Sequence, residues 1–411
     1  MKSKLAINGG TPIGRINAPT WPVYAPEDMR IIDDSFMSGK WGYNGPLEEK
    51  FSKQLCEFFD TDYVVLVTNG THALQLALEA LEIGPGDEVI VPGVTWQATA
   101  SACLSVNAVP VIVDISEKDF NISIDAIKSA ITPRTKCIIP VHLYGRICDM
   151  DRISQIAKEN NLKIIEDSSH QHGSVWKTAK TGTIGDIGVF SMQASKPLNT
   201  GEGGIIVTKK ERLYYVLQSL KNCGKAYKPD SPSMHSGNYR ITEIQCAIGI
   251  TQLSRLHEQI QKRDANAKYL DKLLTGIEGI DSLYRNPNIT TQTYYHYSLY
   301  YNKEYWHGLN RENLKKAIEA ELSNSIELQS AYEPLNRNDL YNPLNKKTHK
   351  LNSEYIEQIN PSKINLSVSN KIYNENYIGL FHNFLLAEKT DMELFVDSFI
   401  KIKKNIHDLI T

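Results

Sequence analysis

Apolar residues follow two different periods along this chain, and the places where the period changes indicate its organisation. Short runs rich in Val and Ile occur seven times, at 63–68, 88–92, 109–114, 136–141, 162–166, 187–191 and 204–208. Helical patterns separate the first five of these runs, at about 71–82, 96–106, 123–131 and 149–160. Strands that alternate with helices predict an α/β fold, in which a seven-stranded, mostly parallel sheet has helices on both faces.

The last two of these strands are joined differently from the others. Residues 192–203 contain Pro and Gly and show no helical pattern. Parallel neighbours need a connection of about a dozen residues or more, which is usually a helix. The short, non-helical connection therefore predicts that one strand of the sheet runs antiparallel to the rest.

The segment before the sheet is predicted to contain an arm, two helices and a turn. Residues 1–25 are irregular, which indicates an extended arm that lies on the body of the protein or on a partner subunit. Glu27–Met37 and Leu47–Phe59 show helical patterns. The glycine-rich turn Trp41–Pro46 between them is either a plain connector or a loop that faces the substrate.

A smaller α+β unit is predicted to follow the sheet. Thr242 and Gln245 have the spacing of a capping box at the start of a helix that continues to about Leu274. Further elements are predicted as a strand at Tyr294–Tyr301 and helices at Arg311–Leu322 and Leu385–Ile406, whereas Asn336–Ser353 has no assignable pattern. We therefore divide the chain into an arm (1–25), a large domain (26–262), and a linking helix with a small C-terminal α+β domain (263–411).

Composition excludes several classes of function. The chain has 411 residues, of which 41% are apolar and 22% charged, as expected of a soluble globular enzyme. A net charge of −2 gives no basic field, so nucleic acid is not expected as a partner. The six cysteines form no C-x-x-C pair, which predicts reduced thiols and no metal site. No signal sequence or run of about 18 apolar residues occurs, so we expect a cytoplasmic protein without a membrane partner.

Candidate chemistry is concentrated between residues 162 and 204. One strand ends in the acidic pair Glu166 and Asp167, and Lys196 lies in the glycine-rich connection between the last two strands. Taken singly, a loop lysine is usually solvated and a strand-ending aspartate often caps a helix. Together, at strand ends where α/β sheets place ligands, they suit pyridoxal 5′-phosphate (PLP), which needs a Schiff-base lysine and a carboxylate on its pyridinium nitrogen. We predict Lys196 and Asp167 as catalytic residues.

Three further residues are candidate contacts for the phosphate of this cofactor. Gly70 and Thr71 follow the first strand of the sheet and open a helix. Backbone N–H groups at a helix N-terminus bind anions, and a glycine lets the phosphate approach closely. Ser191 ends another strand, and its hydroxyl is placed to donate to the same phosphate.

The roles of the aromatic and histidine candidates are less constrained by the sequence. Trp96, just after the second strand, either stacks on the pyridine ring or fills the core between sheet and helix. His170 and His172 lie on the loop after Asp167. Either imidazole is a candidate donor to the phenolic oxygen of the cofactor, and either is equally a candidate structural histidine.

Several motifs together resemble one enzyme family. The runs ITPRTKCIIPVHLYG, EDSSHQHG, FSMQASKPLNTGEGG and GNYRITEIQCAIG are similar to the sugar aminotransferases often named DegT/DnrJ/EryC1/StrS. The resemblance covers about residues 5–270 well, and the C-terminal third weakly, through Tyr332–Leu335 and a His382-x-x-Leu385-Leu386 pattern. It implies a fold-type-I PLP-dependent transferase, a homodimer with active sites at the subunit interface, and glutamine or glutamate as amino donor.

The resemblance also implies a role for each matching residue. Lys196 matches the Schiff-base lysine, Asp167 the pyridinium partner, Trp96 the stacking aromatic, and Gly70, Thr71 and Ser191 the phosphate contacts. Asn238 matches a phosphate contact that the second subunit supplies. His170 stands where most members carry Gln, which leaves its role open.

The substrate implied by the resemblance is a small keto compound. Histidine at position 170, with the S-K-x-L-x-[ST]-G-E-G-G form of the lysine loop, is similar to the branch that acts on keto-cyclitols such as scyllo-inosose. The expected reaction is amino transfer to a keto-cyclitol or keto-sugar, free or nucleotide-linked. Alternatives are a PLP-dependent dehydratase or aminohydroxybenzoate-synthase-like enzyme, and a non-enzymatic regulator. Some members of the family that dehydrate carry histidine in place of the lysine, so Lys196 favours transamination. The presence of both Asp167 and Lys196 argues against a regulator.

Overall fold

The computed structural model describes residues 4–410, which form strands, α-helices and several short 3-10 turns. The strands are β1 (Tyr63–Val67), β2 (Glu88–Pro92), β3 (Val109–Val113), β4 (Thr135–Ile138), β5 (Lys163–Asp167), β6 (Val175–Trp176), β7 (Ala179–Lys180), β8 (Ile187–Ser191), β9 (Gly204–Thr208), β10 (Ile280–Ser282), β11 (Ile289–Thr291), β12 (His296–Tyr301), β13 (Leu328–Gln329) and β14 (Tyr377–Phe381). The helices are α1 (Asp28–Met37), α2 (Pro46–Phe59), α3 (Gly70–Ala80), α4 (Ala98–Ser105), α5 (Ile124–Ala130), α6 (Met150–Glu159), α7 (Glu211–Lys221), α8 (Glu243–Leu274), α9 (Arg311–Glu321), α10 (Ser353–Gln358), α11 (Ser367–Lys371) and α12 (Lys389–Lys404).

The largest sheet has seven strands in the order β1-β9-β8-β5-β4-β2-β3. β9 pairs antiparallel with both of its neighbours, β1 and β8. The other neighbouring strands pair in parallel. The predicted α/β class, the seven-stranded sheet and its single reversed strand are therefore confirmed.

Strand β4 is shorter than the pattern predicts. The apolar run suggested a strand at 136–141, but the regular ladder ends at Ile138. Pro140 has no backbone N–H and so cannot continue the ladder. Its carbonyl still accepts the N–H of Asp167 at 2.9 Å, so the chain continues beside β5.

Helices cover both faces of this sheet, as the sequence predicts. Val65 and Val67 of β1 belong to a core cluster with α3, α4 and α7. Val64 and Leu66 of the same strand pack instead with α2 and α8. The alternation follows from the period of two in a strand, and it explains why the strands are apolar along their whole length.

A second core surrounds the four-stranded antiparallel sheet β10-β12-β14-β13. Only β12 was predicted there, with a start at residue 294 instead of His296. The helix predicted at 385–406 begins at Lys389, because Glu388 and Asp391 form a capping box and residues 384–386 make a 3-10 turn. The unassigned stretch 336–353 contains two 3-10 turns, at Pro343–Asn345 and Lys347–His349.

The described part of the N-terminal arm lies on its own chain. Leu5 and Ile16 are buried in the core of the four-stranded sheet. The N–H of Ile13 donates to the carbonyl of Glu321 in α9 at 2.9 Å. Of the two positions predicted for the arm, the body of the same chain is therefore the one observed for residues 4–25.

Helix α8 connects the two cores. The predicted capping box is present, with Thr242 and Gln245 bonded reciprocally at its start. The helix packs against α1 and α2 near its N-terminus and against α12 further along. The division of the chain at residue 262 stays a prediction. No helix within residues 4–410 is long and apolar enough to cross a membrane.

Candidate active site

A cavity of about 640 Å³ opens at the carboxyl ends of the parallel strands. This is the edge at which α/β sheets place ligands. Seven of the eight predicted site residues line it, namely Gly70, Thr71, Trp96, Asp167, His170, Ser191 and Lys196. The eighth, Asn238, does not line the cavity of its own chain.

Asp167 is the last residue of β5, and its carboxylate is held on both oxygens. The hydroxyl of Thr99 donates to Oδ2 at 3.0 Å, and the backbone N–H of Ser169 donates to Oδ1 at 3.2 Å. The residue is only 6% exposed. It follows that Asp167 presents a buried, oriented carboxylate to the cavity and does not cap a helix.

The neighbouring carboxylate, Glu166, faces the other side of the sheet. It accepts the backbone N–H groups of Gly182, Ile184 and Gly185, at 2.7 to 3.0 Å. His142 Nε2 lies 3.1 Å from its second oxygen. Successive side chains of a strand point to opposite faces, so Glu166 fixes a loop while Asp167 alone reaches the cavity.

Lys196 lies in the lysine loop, residues 192–203, which joins β8 to β9. Its side chain is 8% exposed, and Nζ lies 4.2 Å from the centre of the Tyr295 ring. Burial lowers the pKa of Lys196 to about 8, and the negative charge of Asp167 opposes part of that shift. Burial is the larger effect, because removing an ammonium group from water disfavours its charged form.

The opposite end of the cavity is formed by the N-terminus of α3. The side chain of Asn69 caps this helix by accepting the N–H of His72 at 2.8 Å. Gly70 packs against β8 so closely that a Cβ there would lie 2.8 Å from Cβ of Ser191. Backbone donors and the Ser191 hydroxyl therefore meet at a point where only glycine fits.

Trp96 lies at the rim of the cavity rather than in the core. It is 50% exposed, and its ring centre is 5.8 Å from that of Tyr332. The alternative in which Trp96 fills the space between sheet and helix is therefore wrong.

The two histidines after Asp167 occupy different environments. His170 lines the cavity and stacks on Tyr295, with ring centres 4.0 Å apart. His172 is fully buried beside Phe190, and burial lowers its pKa to about 3. Only His170 is placed to contact a ligand in the cavity.

The tautomer of His170 follows from its backbone partner. The N–H of Tyr144 donates to Nδ1 at 3.1 Å, so that nitrogen carries the lone pair and Nε2 carries the proton of the neutral ring. Burial, and secondarily the charge of Lys196, hold the pKa of His170 well below its usual value. His170 thus offers one N–H donor, and Nε2 lies 3.5 Å from the hydroxyl of Tyr332.

Tyr144 connects three of the residues that line the cavity. Its φ of 56° is in the left-handed region, which turns its own N–H toward His170. Its carbonyl accepts the N–H of Tyr295 at 2.8 Å, and its hydroxyl accepts the N–H of Tyr332 at 2.6 Å. One buried tyrosine therefore sets the position of His170, Tyr295 and Tyr332.

Asn238 lies outside the cavity, on the chain segment that leads into α8. Its side chain is exposed, and its Oδ1 accepts the N–H of Arg240 at 3.3 Å. Arg240 in turn forms an isolated bridge with Val67, at the end of β1. Asn238 is thus near the end of β1 that precedes Gly70 but does not reach the cavity of its own chain.

Sequence reasoning missed several residues that line the cavity. Thr99 and Tyr295 contact the predicted catalytic pair, and Gln193, Glu202 and Tyr332 complete the walls. The sequence did contain a signal for Thr99, because Thr95 and Thr99 follow a strand with i, i+4 spacing. Tyr332 belongs to a motif that the resemblance had already used, but no role was assigned to it.

The sheet order and the pairing of a buried lysine with an oriented aspartate are typical of fold-type-I PLP-dependent aminotransferases. Comparison with known proteins agrees with this class. The profile of the DegT/DnrJ/EryC1/StrS aminotransferase family matches residues 25–380. The chain belongs to this family, and it is an aminotransferase of that class.

Individual relatives are similar over almost their whole length. L-Glutamine:2-deoxy-scyllo-inosose aminotransferase from Micromonospora echinospora is 34% identical, over 98% of this chain and 99% of the relative. The structure of an aminotransferase from Psychrobacter cryohalolentis matches with a TM-score of 0.82 and 28% identity, over 95% of this chain and 100% of that one. The structure of 3-amino-5-hydroxybenzoic acid synthase matches with a TM-score of 0.80 and 25% identity, over 94% and 98%. The resemblance to the keto-cyclitol branch is therefore confirmed.

Proposed function

We propose that this aminotransferase uses PLP to move an amino group from glutamine or glutamate to a keto-cyclitol or closely related keto-sugar. The observation that carries the proposal is that Asp167 and Lys196, both buried, line the same cavity at the carboxyl edge of the sheet. The relative from Micromonospora echinospora, named for glutamine and 2-deoxy-scyllo-inosose, supports the choice of donor and acceptor.

The residues of the cavity fit PLP at both of its ends. Gly70 leaves a space that a Cβ would fill, and it lies beside the hydroxyl of Ser191 and the first N–H groups of α3, which suits a phosphate. Asp167 would face the ring nitrogen, and Lys196 would bind the aldehyde carbon. When bound, PLP supplies the aldehyde that captures amines and the protonated ring that withdraws electrons from the adjacent carbon.

Asp167 would act by placing a negative charge against the ring nitrogen of the bound cofactor. The donors Thr99 and Ser169 occupy one lone pair on each oxygen and so fix the plane of the carboxylate. Because these donors are neutral, they orient the carboxylate without cancelling its charge. A charge held in this way needs little reorganisation during the reaction.

Lys196 acts as the group that takes up and returns a proton at Nζ. With a pKa of about 8, roughly a tenth of its amine is neutral at pH 7, against about one part in three thousand at a pKa of 10.5. The neutral amine would remove a proton from the carbon that bears the donor's amino group. The ammonium so formed would pass that proton to the carbon of the former cofactor aldehyde, and with the acceptor the two transfers would run in reverse.

His170 is a neutral donor beside this pair. Its Nε2–H points into the cavity, and the lowered pKa keeps the ring uncharged at neutral pH. It would donate to the phenolic oxygen of the ring, where most family members carry a glutamine amide. The second histidine candidate, His172, does not line the cavity.

The composition of the cavity wall favours an acceptor that is free rather than nucleotide-linked. Among the described residues that line it, Lys196 is the only lysine or arginine. Other wall residues are hydroxyl, amide and carboxylate groups such as Ser195, Gln193 and Glu202, which suit the hydroxyls of a cyclitol. A diphosphate is bound by cations or by the N–H groups of a helix N-terminus, and the helix N-terminus of this cavity is already assigned to the cofactor phosphate.

A second candidate function is ring aromatisation or dehydration on the same fold. The similarity to 3-amino-5-hydroxybenzoic acid synthase supports it. Lys196 favours transamination over dehydration, but it is compatible with aromatisation and so does not separate every alternative. The reaction product does, because transamination exchanges oxygen for nitrogen whereas aromatisation loses water.

We further infer a homodimer in which each subunit completes the site of the other. Asn238 is exposed and outside its own cavity, as expected if it contacts the phosphate of the partner's cofactor. Helix α1 carries Met29, Phe36 and Met37, which are 53%, 56% and 81% exposed. Apolar side chains grouped on one exposed helix support a subunit interface there.

The direct test is a screen of amino donors and keto acceptors with purified PLP-loaded protein, read by mass spectrometry. We expect glutamine or glutamate as donor and an aminated free cyclitol as product. Reactions with nucleotide-linked keto-sugars serve as the comparison. Amination of these alone would overturn the proposed acceptor class, and a dehydrated product would establish the second candidate.

A further inference from the structure

The backbone just before Lys196 is tied to two distant parts of the chain. Nε1 of Trp21, in the arm, donates to the carbonyl of Ala194 at 3.1 Å. Nε2 of His382, directly after β14, lies 2.9 Å from the carbonyl of Ser195. Two successive carbonyls of the lysine loop are thus held by side chains that lie far from it in sequence.

The partners of His382 allow one tautomer only. A carbonyl accepts but does not donate, so Nε2 must carry the proton that reaches Ser195. The other nitrogen, Nδ1, lies 3.0 Å from Nη2 of Arg263, a guanidinium that only donates. Nδ1 must therefore carry the lone pair. Burial and the charge of Arg263 also hold the pKa of His382 well below its usual value, so the ring stays neutral.

Arg263 contacts both of the side chains that hold the lysine loop. It lies in α8, is fully buried, and has a pKa lowered to about 9 by that burial. Its Nε also donates to the carbonyl of His382 at 3.3 Å, and the guanidinium lies 5.1 Å from the Trp21 ring. A buried charge is tolerated where its donors have partners. Here two of those donors orient His382, and the guanidinium packs near the Trp21 ring.

We propose that His382 is a positioning residue for Lys196, and that Arg263 fixes the tautomer in which His382 holds the Ser195 carbonyl. A lysine that transfers protons to and from a ligand must swing its side chain while its Cα stays in place, since small displacements of a reacting group reduce the rate strongly. The inference rests on the proposed role of Lys196.

The test compares two polar replacements of the same histidine. His382→Gln places an amide nitrogen near the position of Nε2 and retains the donor to Ser195. His382→Asn places its amide near Nδ1, too far to reach that carbonyl. We expect the single-turnover rate with the amino donor to fall at least tenfold in His382→Asn and to stay within threefold of the natural protein in His382→Gln.

A second readout needs no cofactor. Hydrogen exchange of the PLP-free protein should be faster over residues 192–203 in His382→Asn than in His382→Gln. Asn266→Leu is the matched control, because Asn266 lies one turn beyond Arg263 and ties α8 to Leu385 and Ala387 without touching the lysine loop. It should lower the melting temperature but leave the rate and the exchange of 192–203 unchanged.

The outcomes separate this inference from the proposed function. Equal rates and equal exchange in the two His382 variants would overturn the positioning role, as would an equal loss in Asn266→Leu. If Lys196→Ala retained transamination, the proposed catalytic lysine itself would be wrong. If Lys196→Ala is inactive while the His382 variants behave alike, only the positioning role fails.

Discussion

The hydroxyl of Thr99 donates a hydrogen bond of 3.0 Å to Oδ2 of Asp167. The hydroxyl of Thr95, four residues earlier, lies 2.9 Å from that of Thr99. Thr95, just before α4, and Thr99, in its first turn, thus form a short chain of hydroxyl groups that ends on the carboxylate. Thr99 is also fully buried. The orientation of Asp167, at the end of β5, therefore depends on α4, the helix that connects β2 to β3.

The first prediction compares the charge of Asp167 with its orientation. Asp167→Asn keeps the shape but removes the charge, so the half-reaction with the amino donor should slow by orders of magnitude. Thr99→Val removes only the orienting donor and should slow it about tenfold, or about 1.4 kcal/mol in barrier. Stopped-flow single turnovers measure both rates. An Asp167→Asn rate within about threefold of the natural protein would assign Asp167 a purely structural role.

The second prediction identifies the lysine that binds the cofactor. Borohydride reduction of the PLP-loaded protein should fix the label on Lys196 alone, as read by peptide mass spectrometry. Lys196→Ala should lose transamination but keep its melting temperature in the PLP-free form, because a loop lysine contributes little to the core. A label on another lysine of the fully loaded protein would contradict the assignment of Lys196 as the lysine that binds the cofactor.

The third prediction follows from the lowered pKa of Lys196. Its amine is neutral above about pH 8 in the folded PLP-free protein, whereas an unperturbed lysine needs about pH 10.5. Since only the neutral amine attacks an aldehyde, the rate of PLP capture should rise about tenfold per unit below pH 8 and level off above it. Capture by N-acetyl-lysine methylamide serves as control and corrects for the titration of PLP itself. A rate that keeps rising to pH 10 would contradict the shift.

The fourth prediction concerns the hydroxyl of Tyr144. Tyr144→Phe removes the acceptor of the Tyr332 N–H, so the cavity wall should loosen and the KM for the keto acceptor should rise about tenfold. Tyr301→Phe is the matched control, because its hydroxyl donates to the Leu309 carbonyl within the other core. We expect Tyr301→Phe to lower only the melting temperature. A similar rise of KM in both variants would argue against a specific role for Tyr144.

The fifth prediction tests whether the sites are shared between subunits. Lys196→Ala and Asn238→Asp are each expected to be inactive, the second because it turns a negative charge toward the phosphate. In mixed dimers with composite sites, one site collects both substitutions and the other neither, so activity should return. Recovery is measured after refolding mixtures of the two variants, with heterodimers isolated by different tags. If these heterodimers stay inactive, Asn238 acts within its own chain.

The sequence patterns predicted the sheet well because burial leaves a strong local signal. The strands of the seven-stranded sheet are largely buried on both faces, which requires a run of apolar residues that any short window reveals. Asp167 and Lys196 were recognisable for a related reason, since polar residues at the ends of such runs lie at the edge where ligands bind.

The residues that could not be predicted are those whose role depends on distant contacts. Thr99, Tyr295 and His382 reach the site from three separate elements. The spacing of Thr95 and Thr99 and the motif that contains His382 are visible in the sequence, but neither indicates which distant residue the side chain contacts. Strands such as β6 and β7 have only two residues each, too few to show a period. The position of the arm could not be predicted either, because an irregular segment has no pattern that indicates which surface it packs against.

The reversed strand β9 also sets the order in which the molecule can be assembled. Edge strand β1 has β9 as its only neighbour in the sheet, so a chain emerging from the ribosome leaves β1 unpaired until residues 204–208 have been made. Strand β9 follows the loop that carries Lys196 and pairs with the strand that precedes Gly70, so the two ends of the site are joined through the sheet only once β9 is in place. A chain that stops before β9 would expose the edge of β8, an inner strand of the finished sheet, and would leave β1 without its neighbour.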